Sequence, residues 1–319
     1  MKIHPVLSTQ RPPYLLAVVV FLVLCVINAI LQPSFLRFGV AASNVAAFLP
    51  MALVAVGQTY VVLASDIDLS VGTIVSLVNV VVVSIIDRMG GSGLSIALGL
   101  ALGLALGLMC GLVNGWCVAM LRFQPIVATF ASGIVFAGIA LWILPEAGKQ
   151  VPPAVYQAYA GAILGVPAVV VILLAAIGAA AFVGRTPFYY ALRATGGNMQ
   201  AAYQSGLPVV HVRIGAYTMS GLFAALAGLA LVGETASGDP LIGGALTLSS
   251  VTAVVLGGTA LKGCVGGVAG SILGAFILGL INNVIFFAQL PFEWQGLIQG
   301  AIILAALAGG VVMARGRQR

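Results

Sequence analysis

Two aspartates, Asp66 and Asp68, stand in the run Ser65-Asp66-Ile67-Asp68-Leu69-Ser70-Val71-Gly72, between long apolar stretches and with no hydrophilic loop on either side. A carboxylate in such a place needs water, a cation or backbone donors. Ser70 and Gly72 suit a helix start, where a negative charge at Asp68 is favoured. Two readings stand side by side: a discontinuous helix that lines a solute path or gate, and a capped, solvated turn. Neutral polar groups interrupt the other apolar runs at Asn44, Gln58, Asn79, Asn114, Thr129, Thr252, Asn282 and Asn283. Amides and hydroxyls both donate and accept, which suits a hydroxyl-rich solute, and Trp116 and Phe130 offer faces for a ring to stack on. The competing role for each is hydrogen bonding between helices. The candidate pathway or gate set is Asp68, Ser70, Asn79, Asn114, Trp116, Thr129, Thr252, Asn282 and Asn283.

Two further interruptions carry polarity. The stretch 184–213 holds Arg185, Arg193, His211 and Arg213 around a small, polar centre, Thr195-Gly196-Gly197-Asn198-Met199-Gln200-Ala201-Ala202-Tyr203-Gln204-Ser205-Gly206-Leu207-Pro208. Asn198 is placed to cap a short helix that stops near Gly206 and Pro208. A short surface helix with an alanine-rich face suits docking into another protein; the plainer alternative is an ordinary cytoplasmic turn. In Val255-Leu256-Gly257-Gly258-Thr259-Ala260-Leu261-Lys262-Gly263 the glycines permit a backbone break. It reads either as a gate or re-entrant turn or as a loop at the membrane surface.

Several chemistries find no residues here. The pattern G-x-x-x-x-G-K-[ST] does not occur, so no P-loop for ATP is present, and neither G-x-G-x-x-G nor H-E-x-x-H is found. With His4 and His211 as the two histidines, a histidine-based triad or metal site is not supported. Cys25, Cys110, Cys117 and Cys264 lie in apolar stretches without a C-x-x-C pair and read as packing residues. Beyond Asp66 and Asp68 the apolar runs lack acids, which argues against a proton relay.

The elements that position these groups follow from composition. Of 319 residues 61% are hydrophobic and 6% charged, against about 25% charged in soluble domains. Too few polar residues exist to cover a water-facing surface. A crossing needs about 20 apolar residues, and charges, prolines and glycines divide the chain into spans at 14–32, 44–64, 69–86, 94–121, 123–143, 160–183, 214–233, 248–261, 264–288 and 294–314. The expectation is an all-α polytopic bundle of about ten segments with broken or re-entrant helices, 248–261 being short for a full crossing. The chain forms one transmembrane domain, 1–319, with a cytoplasmic segment at 1–13; the apolar run after Arg11 is too long for a signal-peptide core and reads as a retained span.

Orientation follows from Lys and Arg. With the N-terminus inside, inner connections hold Lys2, Arg11, Arg122, Arg185, Arg193, Arg213, Lys262, Arg315, Arg317 and Arg319, and outer ones Arg37, Arg88 and Lys149. That is the bias of cytoplasmic loops, with both termini cytoplasmic. The net charge of +6 therefore reads as orientation signal, not as a nucleic-acid surface. Gly99, Gly103, Gly107, Gly111 and Gly115 recur every four residues on one face, as do Gly266, Gly270 and Gly274; in lipid such faces serve close helix packing. Gly111-Leu112-Val113-Asn114-Gly115 and Gly279-Leu280-Ile281-Asn282-Asn283 run in opposite directions in this topology, which suits an inverted repeat.

Taken together, the interruptions resemble a known family. Val56-Gly57-Gln58-Thr59-Tyr60-Val61-Val62-Leu63 followed by Ile67-Asp68-Leu69-Ser70-Val71-Gly72 is similar to the signature of the ribose/xylose/arabinose-type permeases of ABC importers, within the branched-chain amino acid/ribose-type membrane-spanning family. So are Gly111–Gly115 with Pro125-Ile126-Val127-Ala128-Thr129, the run Gly196-Gly197-Asn198…Ala201-Ala202…Ser205-Gly206, Ala253–Thr259, and Glu293-Trp294-Gln295. The motifs occur in order over residues 40 to 305. The resemblance implies an importer permease in the cell membrane that carries a monosaccharide or sugar-like solute and has no ATPase site of its own. Its partners would be a second permease chain (identical or a paralogue), a cytoplasmic ATP-binding subunit that holds ATP and Mg, and an extracytoplasmic solute-binding protein. Coupling to the ATPase carries over to Gly196, Gly197, Asn198, Ala201, Ala202, Ser205 and Gly206 in 184–213. Departures are Ser65-Asp66 where the family has Gly-Gly, Gly263-Cys264-Val265 after the Gly-Gly-Thr run, and Glu293. Pentoses, hexoses, sugar alcohols and furanosyl signals all fit the resemblance; a secondary active transporter, or an importer of an amino acid or nucleoside, is the alternative.

Overall fold

The computed structural model describes residues 14–289 and, beyond them, positions 291, 294, 296–298, 300, 301 and 304. In chain order come α1 (Leu15–Leu31), α2 (Phe38–Leu63), α3 (Val71–Arg88), α4 (Gly93–Ala119), α5 (Pro125–Ile143), β1 (Lys149–Gln150), α6 (Pro153–Ala160), β2 (Ala162–Ile163), β3 (Val166–Pro167), α7 (Ala168–Val183), α8 (Pro187–Gly197), α9 (Met199–Gln204), α10 (Val209–Thr235), β4 (Ser237–Gly238), α11 (Gly244–Leu256) and α12 (Val268–Phe287). The two-residue strands pair antiparallel as β1 with β4 and β2 with β3. The rest of the described residues form helices, turns and short irregular connections, so the all-α polytopic reading holds.

Among the described residues six helices are long and apolar enough to cross a membrane: α2, α3, α4, α5, α10 and α12. The pair α7 and α8, bent by 73°, makes a seventh if it is one broken span, and α1 and α11 are shorter apolar helices. Their outer faces carry large apolar side chains, as at Ile126, Val127, Phe130, Ile134 and Trp142 of α5, a surface suited to lipid. The chain is a polytopic membrane protein.

Several boundaries differ from the sequence reading, for local reasons. The span expected from 160 starts at Ala168, because Gly161, the β2–β3 hairpin with Gly165 at φ +83°, and Pro167 precede it. The stretch 184–213 is mostly helical, and α10 starts at Val209, so Arg213 belongs to a spanning helix. The segment expected at 248–261 is α11, Gly244–Leu256, and a tight turn follows it. The span 294–314, Glu293, Gln295, both termini and their Lys2, His4, Arg11, Arg315, Arg317 and Arg319 lie wholly or largely outside the described residues.

The glycine face of α4 is a packing surface. Gly99 and Gly103 lie against Val82 and Ile86 of α3, and Gly107, Gly111 and Gly115 against α10, where side chains at Gly107 and Gly111 would run into Gly221 and the Tyr217 carbonyl. In α12, Gly270 and Gly274 sit against Gly257 and Ala253 at the end of α11, and Gly279 against Phe48 of α2. Such contacts replace the hydrophobic drive that lipid cannot supply.

These contacts define a two-fold relation. α4 packs on α3 and on α10, while α12 packs on α11 and on α2; α2 meets α10 and α3 meets α11. Exchanging the triplet α2–α3–α4 for α10–α11–α12 maps this pattern onto itself. Tyr159 hydrogen-bonds the Ala46 carbonyl near the start of α2 and covers Gly233 near the end of α10. Asp66, just past α2, meets Arg213 near the start of α10. The two long helices therefore run antiparallel, and the repeat is inverted.

Candidate functional site

α2 ends at Leu63, and Ser65 follows in the left-handed region at φ 69°. The chain then runs without helix to Ser70, and α3 starts at Val71. Three other helices, α4, α5 and α10, fill this gap with polar groups. Arg213 Nε donates to Asp66 Oδ2 at 2.9 Å and its Nη2 to Oδ1 at 3.0 Å. The pair is buried, with 4% of the Asp66 side chain and 13% of the Arg213 side chain exposed, so the solvated-turn reading of this stretch is overturned. Each charge of a buried pair is tolerable because the other is there.

Asp68 is fully buried and is held by hydroxyls and backbone. Its Oδ1 accepts from Ser70 N at 2.9 Å and Ser70 Oγ at 2.6 Å, and its Oδ2 accepts from Ser220 Oγ of α10 at 2.9 Å. Hydrogen bonds to the charged form are what make a buried carboxylate bearable without a cation beside it. The Gln58 amide faces the Asp68 backbone and closes two hydrogen bonds of 3.2 Å, one to its N–H and one to its carbonyl. Asn114 of α4 donates to Ser70 Oγ at 2.7 Å, and Leu69 N donates to Thr129 Oγ1 of α5 at 3.0 Å. Ser70 stands at the N-cap position of α3, yet its side chain does not cap the helix; it serves Asp68 instead. The Tyr217 hydroxyl lies beside the Asp66 carboxylate, while Asn114 Oδ1 and the Tyr60 hydroxyl remain buried without a partner among the described residues.

The second break, 236–243, joins α10 to α11 and lies along α3. It leaves α10 at Ala236, in the left-handed region at φ 56°. Asn79 of α3 accepts from Asp239 N at 2.8 Å and donates to the Ser237 carbonyl at 3.3 Å. Gly243 N donates to Ser76 Oγ at 2.9 Å, and Gly72 N donates to Thr247 Oγ1 at 3.2 Å. Gly72 and Gly243 are each pressed on the other's carbonyl, leaving no room for a side chain at either. The two interrupted helices of the inverted repeat thus touch through bare backbone, with hydroxyls completing the hydrogen bonds that the missing turns forgo.

The structure brings Asp68, Ser70, Asn114 and Thr129 into one cluster and places Asn79 on the other break. Thr252 is buried and donates to Leu248 O of its own helix at 3.0 Å. Asn283 donates to Asn44 Oδ1 at 3.0 Å and pins α12 to α2; Asn282 beside it is partly buried. Trp116 and Phe130 are about half exposed on the outward faces of α4 and α5. Arg213, Ser220, Ser76 and Thr247 were not singled out from the sequence as site residues. The legible hint was Asp239-Pro240-Leu241-Ile242-Gly243-Gly244, a turn-forming run before a short apolar helix.

The end of α2, the end of α8 and the turn after α11 converge. Cys264 N donates to the Leu63 carbonyl at 3.2 Å and Arg193 Nε to the Cys264 carbonyl at 2.7 Å. A side chain at Gly196 would strike the Leu63 carbonyl, whereas Gly197 has ordinary contacts with Cys264. Thr259, buried, accepts from Gly267 N at 3.2 Å and anchors that turn, while Lys262 is exposed. Asn198 Oδ1 accepts from Ala201 N at 3.0 Å and so caps α9, as the sequence reading expects. Ala202 is the buried residue of α9; Gln200, Ala201, Gln204, Ser205 and Gly206 are exposed with Met199 and Tyr203.

Comparison with known proteins adds to this geometry. Residues 40–307 match the family model described as branched-chain amino acid transport system / permease component. The ribose import permease protein RbsC of Bacillus subtilis is 35% identical over 89% of this chain and 88% of its own. The autoinducer 2 import system permease protein LsrC is 33% identical in Yersinia enterocolitica, over 80% of this chain and 70% of its own, and 32% identical in Escherichia coli K12, over 80% and 74%. No solved structure matches the chain. A family match over most of the sequence, joined to a bundle of apolar spans with paired helix breaks, establishes that this chain belongs to the permease-component family of the branched-chain amino acid transport system type and is a multi-pass protein of the cell membrane.

Proposed function

We propose that the chain is the membrane-spanning permease subunit of an ABC importer for a monosaccharide or sugar-like solute, with ATP hydrolysed on a separate cytoplasmic subunit. The observation that carries this reading is the pair of polar helix breaks meeting inside an otherwise apolar bundle, in a chain 35% identical to a ribose import permease. A break needs polar surroundings, and a bundle able to shift at two glycine-lined breaks has a place to open. Ten crossings with both termini cytoplasmic fit the Lys and Arg distribution. Two permease chains would form the pathway, with Asp68, Ser70, Asn79, Asn114, Trp116, Thr129, Thr252, Asn282 and Asn283 as the pathway or gate set. Of these, Asp68, Ser70, Asn114 and Thr129 act as the hinge of the gate and Trp116 as a wall.

The cytoplasmic docking surface for the ATP-binding subunit is α9 and its flanks, Gly196, Gly197, Asn198, Ala201, Ala202, Ser205 and Gly206. The ATP-binding subunit holds ATP and Mg, and no cofactor is assigned to this chain. The test is uptake into proteoliposomes that contain this chain, its ATP-binding subunit and its solute-binding protein. Labelled sugar should enter only with ATP inside the ATPase compartment and binding protein on the opposite face. Uptake driven by an ion gradient without ATP would overturn the reading.

A further inference from the structure

A cavity of about 630 Å³ opens between α7, α8 and the start of α12, away from the helix breaks. Its polar lining comes from Arg185, Tyr189 and Arg193, with Tyr14 at its edge. Its apolar lining comes from Ile177, Ala180, Ala181 and Ile272, which lie deeper along α7 and α12. Arg185 stands two positions past the end of α7, and Ile177, eight residues earlier, lies about 12 Å along the helix direction by the rise per residue. The cavity is therefore basic at the end that the charge distribution places on the cytoplasmic side, and oily above it. No aspartate or glutamate lines it, and neither arginine has a carboxylate partner among the described residues. Arg193 is fixed in place by its bond to the Cys264 carbonyl, on the turn that also joins the end of α2. α12 opens beside it with no side-chain cap at Gly267 and no acid in its first turn.

We infer that this cavity binds one anionic phospholipid of the cytoplasmic leaflet, its phosphate between Arg185 and Arg193 and an acyl chain along Ile177, Ala181 and Ile272. A phosphate ester matches the bidentate geometry of a guanidinium, and basic pockets between spans on the cytoplasmic side suit such headgroups. A phosphate without acyl chains would leave the apolar wall uncovered. The lipid lies against α8 and the Cys264 turn, so it braces the inner ends of α2, α8 and α12 where they meet.

The experiment is native mass spectrometry of the purified full-length chain titrated with phosphatidylglycerol or phosphatidylcholine of the same acyl chains, beside the variants Arg185→Gln, Arg193→Gln and Ala181→Trp. The wild type should retain one phosphatidylglycerol in clear preference to phosphatidylcholine. Each arginine variant should lose about fivefold in that retention, as one cation near an anionic headgroup is worth. Ala181→Trp, which fills the apolar wall and leaves both charges, should lose a similar amount, and Arg122→Gln, on another inner connection, should bind as wild type. Arg185 is exposed, so its variant reports even if Arg193→Gln does not fold. Equal retention of the two lipids, or wild-type retention by Arg185→Gln and Ala181→Trp, overturns the site. Displacement of phosphatidylglycerol by millimolar inorganic phosphate, with Ala181→Trp unaffected, overturns the lipid and assigns the cavity to a free anion.

Discussion

Arg213, on the first turns of α10, grips both carboxylate oxygens of Asp66, 147 positions earlier in the chain. This one ion pair ties the end of α2 to the start of its antiparallel counterpart in the inverted repeat. The resemblance implies Gly-Gly at Ser65-Asp66, and here Asp66 supplies the acid of this lock.

Removing one partner of that lock should destabilise strongly. Asp66→Leu or Arg213→Met alone leaves a buried charge unpaired, at about 3–5 kcal/mol. The double variant Asp66→Leu/Arg213→Met should recover most of the loss. Melting temperatures of the four proteins in detergent, read as a double-mutant cycle, give the coupling; additive losses would mean that the pair does not act as a unit.

Asp68→Asn tests the hydroxyl cluster. The amide keeps the acceptor for Ser70 N and places an N–H where Ser220 now donates. Ser220 can turn its hydroxyl, so folding survives, but one of the two acceptor oxygens that organise the break is gone. ATP-driven uptake should fall about tenfold, a difference of about 1.4 kcal/mol, with membrane abundance within about twofold. Uptake at the wild-type rate would make the segment a structural turn and no gate.

The glycine face gives a steric prediction. Gly111→Ala drives a methyl into the Tyr217 carbonyl and should cost about 1–3 kcal/mol through overpacking. Gly138→Ala and Gly178→Ala, where nothing lies within 4 Å, should be neutral. Folded yield after detergent extraction, followed by size-exclusion chromatography, separates the two groups. Equal yields would show that α4 and α10 can move apart at no cost.

Gly196 and Gly197 are neighbours with different burdens. Gly196→Ala should lower folded yield, since its methyl meets the Leu63 carbonyl. Gly197→Asp, at an exposed position, should leave the chain inserted and uncouple ATP hydrolysis from uptake. ATPase activity and transport measured in the same proteoliposomes check this; coupled, wild-type transport by Gly197→Asp would remove α9 and its flanks from the docking surface.

Much was legible in the order of residues alone. Scarce charge and long apolar runs fix a helical membrane bundle, because lipid leaves backbone groups no partner outside the helix. The four-residue glycine period marks a packing face, and Asn198 marks the start of α9, because both are local properties of a helix. What the order could not state is which polar group answers which. Asp66 finds Arg213, Asp68 finds Ser220, and Ser70 finds Asn114, across separations of 147, 152 and 44 positions. The contact of Gly72 with Gly243 is likewise a matter of two breaks meeting in space. Burial decides the energetics of each of these, since a carboxylate at a turn is cheap in water and costly in a dry bundle. Only the packing of α2, α3, α4, α5 and α10 around the break determines that Asp66 and Asp68 are buried, and with that burial comes the need for every partner they have.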